Sequence, residues 1–161
     1  MCDLRVLLGQ YGGGNTLYVF DVNKEHTLSA AGNVTLEWFY GLACTRRGND
    51  TLVAFTHESS VSLQRLASFP LRLEQLASVN VTDAWRLLFR GDLLLVAQYN
   101  ITLRSDAILS FRVSGNTLTE QRVLLDSQAG VDMHSWALAG ERLILATPYE
   151  LLEYNFTSNG E

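Results

Sequence analysis

Cysteine, proline and methionine each occur only twice in 161 residues, and histidine three times. Cys2 and Cys44 are too few for the disulfide framework of a small secreted domain; they form at most one bridge or remain two thiols, buried or unpaired. His26, His57 and His134 share no metal-ligand spacing with them, so neither a metal nor a cofactor is expected. Lys and Arg total 12 against 17 Asp and Glu, a net charge of −5. These cations are scattered and form no basic stripe, which excludes nucleic acid as an expected partner. Long hydrophobic runs are missing too: Leu93 to Ala97 falls far short of the roughly 18–20 residues that a membrane-spanning helix requires. Met1 to Tyr11 contains Asp3 and only a three-residue apolar run, too short for the core of a secretory signal, and reads as a strand. There is no G-x-S-x-G, H-E-x-x-H or C-x-x-C motif. Gly12, Gly13 and Gly14 follow a strand without opening a helix, which leaves a phosphate-cradling loop without support.

What the chain does have is strand signal and repetition. With 47% hydrophobic and 18% charged residues it lies in the globular range, and β-branched and aromatic residues alternate with polar ones between Gly, Asn, Asp and Ser turns. Asn33-Val-Thr-Leu-Glu-Trp38 recurs as Asn80-Val-Thr-Asp-Ala-Trp85, 47 residues on, and more weakly as Val131-Asp-Met-His-Ser-Trp136. The apolar runs ending at His57, Tyr99 and Tyr149 recur in step. Several short strands per unit, at a period of 42 to 51 residues, are the signature of propeller blades.

Strands are predicted near 4–11, 15–22 and 27–36; 38–46, 51–57, 60–66 and 71–80; 84–90, 92–99, 106–113 and 117–125; and 134–139, 142–149 and 150–157. The fold class is therefore all-β: a partial β-propeller of about four blades built from antiparallel four-stranded sheets. The approximate blades are 1–37, 38–82, 83–131 and 132–161. Two are complete; the first lacks its leading strand and the last its outer one. Because each blade buries a face on each neighbour, the chain is expected to be one propeller domain or a piece of a larger one. Its end blades would be covered by further blades or by self-association. A β-sandwich is the bland alternative, and the matched N-V-T-x-x-W segments weigh against it.

Val6-Leu-Leu-Gly-Gln-Tyr-Gly-Gly-Gly-Asn-Thr-Leu-Tyr-Val-Phe-Asp-Val22, Leu94-Leu-Val-Ala-Gln-Tyr99 and Ala107-Ile-Leu-Ser-Phe-Arg-Val113 resemble the blade rhythm of the YVTN and lactonase-type (WD40-like) β-propellers. The resemblance covers nearly the whole chain as blade grammar. It implies fold, and fold does not imply chemistry. Lactonase-type members suggest an enzyme with its site at the channel mouth, ahead of the innermost strands. There this chain offers Trp38 and Tyr40, Asp83 and Trp85, and Asp132 and His134. His134 held by Asp132 has the form of a general base, but no matched acid or arginine cluster accompanies it. The expected function is thus a non-catalytic binding or interaction module for a protein or small molecule. The alternative is a lactonase-like hydrolase or isomerase acting on a small sugar acid or lactone.

Trp38, Trp85 and Trp136 share one blade position, which makes them either an aromatic ring around a ligand mouth or, more simply, blade-to-blade packing. Five of the nine asparagines begin N-x-T: Asn33, Asn49, Asn80, Asn100 and Asn155. Composition alone would give about one such site, although turn and strand preferences also favour this pairing. Glycosylation at these positions would place the protein outside the cell or on its surface, with a signal peptide beyond this chain; without it the reading returns to the cytoplasm. Asn49 and Asn100 are expected to be the most exposed, and Asn33 and Asn80 to share one environment.

Overall fold

A computed structural model describes residues 5–10, 15–102, 104–125, 133 and 135–155. Among them every regular element is a strand. The first sheet comprises β1 (Arg5–Gln10), β2 (Thr16–Val22) and β3 (Leu28–Thr35). The second comprises β4 (Gly41–Arg47), β5 (Asp50–Thr56), β6 (Ser60–Ser68) and β7 (Leu71–Asn80), and the third β8 (Ala84–Arg90), β9 (Leu93–Asn100), β10 (Ser105–Ser114) and β11 (Thr117–Leu125). β12 (Ser135–Ala139), β13 (Arg142–Ala146) and β14 (Leu151–Asn155) form the last. Each sheet is an antiparallel meander in chain order. Successive sheets pack face to face, with β4 against β8 on the inside and β3, β7 and β11 in succession toward the outside. The architecture is a partial β-propeller, and its sheets do not close into a ring.

The two-residue period of a strand explains why the blades stack. On β5, Val53 and Phe55 join Leu17, Val19, Phe39 and Leu66 in the core between the first and second blades. The alternate residues Leu52 and Ala54 face the other way and pack with Leu87, Leu94, Val96 and Phe111 between the second and third. β9 repeats this division: Leu94 and Val96 point to the second blade, while Leu95 and Ala97 join Ile108, Met133, Leu143 and Leu145 toward the fourth. A strand buried on both faces reads as a continuous apolar run, as Leu93 to Ala97 does. Each such side chain contributes at most about 1.5–3 kcal/mol of transfer free energy.

The turn chemistry matches the strand spacing. Gly48 and Gly91 occupy left-handed backbone at φ 59° and 54° in two-residue hairpins, where a Cβ would be costly. In the β2–β3 connection the Asn23 carboxamide oxygen accepts the N–H groups of Glu25 and Thr27, each at 2.9 Å, an Asx turn. The Gly12-Gly13-Gly14 run between β1 and β2 lies outside the described residues. Pro70 lies in the turn into β7, the outer strand, where its missing N–H disturbs no interior ladder.

Two expected boundaries shift by three residues. The strand predicted from residue 38 begins at Gly41, because residues 36–40 form an irregular connection. The strand predicted to reach 149 ends at Ala146, because the Thr147 hydroxyl accepts the N–H groups of Tyr149 and Glu150 at 3.2 and 3.0 Å. This local turn starts the hairpin early.

Candidate functional site

The connection from β3 to β4 alternates outward and inward. Trp38 is 54% exposed and Tyr40 46%, whereas Phe39 between them is 1% exposed. In extended chain successive side chains point to opposite sides, so burying Phe39 forces its neighbours out. Phe39 meets Phe55 edge-on, with ring centroids 5.4 Å apart, a favourable aromatic geometry. Trp38 and Tyr40 also meet edge-on, at 6.3 Å and an interplanar angle of 79°.

The β5–β6 turn fastens this connection. His57 Nδ1 lies 2.9 Å from the Trp38 carbonyl oxygen and Nε2 lies 3.0 Å from Ser62 Oγ. A carbonyl only accepts, so Nδ1 carries the proton, and in the neutral ring Nε2 accepts from the Ser62 hydroxyl. Gln64 Nε2 donates to the same Ser62 oxygen at 3.4 Å. Ser62 is buried, and this network forms part of the floor of a cleft of about 760 Å³ between the first and second blades. Trp38 walls it, and Glu37, Glu58, Ser60, Arg72 and Gln75 line its polar parts. Arg72 is engaged by Glu74 Oε1 at 3.0 and 2.6 Å. Hydrogen bonds from Arg65 and then Arg72 hold the Glu74 carboxyl below the usual carboxylate range, against a smaller opposing effect of desolvation.

The equivalent connection in the third blade is built differently. Trp85 falls inside β8, half-buried, and its indole N–H donates to Asp106 Oδ1 at 3.1 Å. Asp106 Oδ2 accepts the Met133 N–H at 2.5 Å, so this buried carboxylate ties the third blade to the segment entering the fourth. The Arg86 guanidinium lies 5.1 Å from the Trp85 ring centroid and donates to Ser135 Oγ at 2.8 Å. Trp136 is half-buried against the same core. The three tryptophans therefore do not form one ring: Trp85 and Trp136 pack between blades, and only Trp38 presents an open face.

Of the residues proposed as a general base and its partners, Asp132 and His134 lie outside the described residues. Asp83 is exposed and held at φ 54° ahead of β8. Asn33, Asn49, Asn80 and Asn155 are exposed, so Asn33 and Asn80 do share an environment. Asn100, expected among the most exposed, is half-buried, with its side-chain oxygen accepting the Thr102 N–H at 3.0 Å. Cys44 on β4 is disulfide-bonded; Cys2 lies outside the described residues. Sequence reasoning missed the His57–Ser62 pair and Asp106. An Asp inside an apolar strand was the available signal for the latter, since a buried carboxylate requires donors.

No family model matches the sequence. No curated protein matches it either. Solved structures match in fold. A protein from Lactobacillus plantarum aligns over 98% of this chain at 14% identity with a TM-score of 0.64. A candidate 6-phosphogluconolactonase from Bacteroides uniformis aligns over 98% at 17% identity with a TM-score of 0.54. The chain spans 53% and 59% of their lengths, a little over half. The resemblance to lactonase-like β-propellers thus holds at the level of fold.

Proposed function

We propose that the chain is a non-catalytic binding module of a secreted or cell-surface glycoprotein, recognising its ligand in the cleft between the first two blades. The observation that carries this reading is an exposed Trp38 on a fastened backbone beside a polar cleft of about 760 Å³, within the size range of ligand sites. Rigid scaffolds commonly place recognition on such connections. The exposed Asn33, Asn49, Asn80 and Asn155 support the glycoprotein part, because an acceptor must face solvent. The disulfide-bonded Cys44 suits an oxidising compartment. Expression through a eukaryotic secretory pathway followed by enzymatic deglycosylation tests this part: a mass shift is expected, and its absence returns the protein to the cytoplasm.

The end sheets supply a second surface. Leu8 and Leu28 on the first are 53% and 55% exposed, and Leu151 on the last is 73% exposed. Exposed apolar faces of this kind suit further blades or a second copy. Sedimentation of the chain alone is expected to show association at micromolar concentration, and a stable monomer would count against that.

The rival reading is a lactonase-like hydrolase or isomerase, supported by the fold shared with the Bacteroides uniformis protein. It requires His134 to converge with Asp83, Asp132 or an arginine in one pocket. Lactone turnover by the full chain that disappears in His134→Ala would overturn the binding-module reading.

A further inference from the structure

We infer that the cleft between the first and second blades binds a neutral carbohydrate, with Trp38 as its stacking wall; this names the ligand class of the site proposed above and rests on that reading. Three features converge on it. First, Trp38 leaves 54% of its surface in water although its carbonyl is pinned by His57 and its neighbour Phe39 is buried. The ring is thus presented by a backbone fixed in advance, which lowers the cost of ordering on binding. A flat aromatic face with polar groups around it suits a pyranose, which has an apolar C–H face and a rim of hydroxyls.

Second, the polar lining is rich in groups that both donate and accept. Ser60, Ser78, Gln64 and Gln75 bring hydroxyls and carboxamides to the cleft, matching sugar hydroxyls that also do both. Third, the charge disfavours anions. Among the described lining residues two carboxylates, Glu37 and Glu58, outnumber one guanidinium, Arg72, which shares Glu74 with Arg65. A phosphate or sugar acid would meet like charge. A neutral sugar would instead donate to these carboxylates through charge-assisted hydrogen bonds.

Isothermal titration of the full chain tests this with maltotriose, cellotriose and triacetylchitotriose, alongside glucose 6-phosphate and choline. Saturable binding of at least one neutral trisaccharide is expected. It should weaken roughly tenfold in Trp38→Ala, the loss of about 1.4 kcal/mol expected of a stacking contact. Tyr149→Ala, which alters an exposed ring of the last blade that does not line the cleft, should leave it unchanged. If circular dichroism shows Trp38→Ala unfolded, Gln75→Ala, at an exposed β7 position, replaces it with a severalfold loss expected. No saturable binding of any trisaccharide, undiminished binding by the variant, or preference for glucose 6-phosphate or choline overturns the assignment. Absence of saccharide binding without lactone turnover removes the carbohydrate class alone, whereas His134-dependent turnover removes the binding-module reading itself.

Discussion

The second and third blades have the same four-stranded meander and the same Asn-Val-Thr entry, yet they use their tryptophans in opposite ways. In the third, Val81 to Asp83 make a short connection, Trp85 enters β8, and a buried Asp106 takes its indole N–H. In the second, residues 36–40 separate β3 from β4, and Phe39 rather than Trp38 turns into the core. His57 then holds the Trp38 backbone instead of its ring. The second blade's connection is two residues longer, and its tryptophan lies at the surface where that of the third packs. Equivalent sequence positions need not be equivalent sites.

The largest expected effect separates the two neighbours in the second blade. Phe39→Ala should cost about 3–5 kcal/mol in urea denaturation through lost transfer free energy and a residual cavity. Trp38→Ala should change stability by only about 0.5 kcal/mol. Similar losses would show that Trp38 is a packing residue after all and erase the contrast with Trp85.

Next in size is the polar anchor of the third blade. Asp106→Ala leaves the Trp85 indole and the Met133 amide without their carboxylate and should cost about 2–3 kcal/mol. His57→Ala, which removes the second blade's fastening, should cost about 1 kcal/mol. Equal costs would mean that both connections are secured alike.

Gly41 probes the contact between the two blades. A Cβ there would lie 2.7 Å from the Trp85 carbonyl oxygen and 2.9 Å from Thr56 Oγ1. Because the first obstacle is backbone, Gly41→Ala should destabilise by roughly 1–3 kcal/mol. Gly48→Ala meets no atom within 4 Å and suffers only from its φ of +59°, about 1 kcal/mol.

The smallest effect is electrostatic and confined to the second blade. Arg65 and Arg72 depress the Glu74 pKa below its unfolded value. The stability from this carboxylate is therefore present above the usual Glu range and lost as pH falls through the depressed folded pKa. Thermal melts should show Glu74→Gln slightly less stable than the parent protein at neutral pH, with the gap closing below about pH 4. High salt should narrow the gap at neutral pH as well. A gap that widened on acidification would contradict the assignment.

Most of the fold was legible because its physics is local. Two-residue alternation, Gly and Asn at hairpin turns, and apolar runs of one strand length put the fourteen strands seen among the described residues close to where they occur. The candidate site was much less so. The repeat suggested one role for Trp38, Trp85 and Trp136, but a repeat reports position along the chain and not the direction of a side chain.

By itself, then, the sequence determined the all-β class and the blade period, since each follows from patterns legible along the chain. Only the tertiary structure decided which tryptophan faces water. That choice rests on contacts far apart in the chain: Phe39 against Phe55, the Trp38 carbonyl against His57, and Trp85 against Asp106. Burying Phe39 with its aromatic partner satisfies the core and leaves Trp38 outside, while a buried carboxylate within reach of an indole N–H draws Trp85 in. No local pattern encodes either outcome.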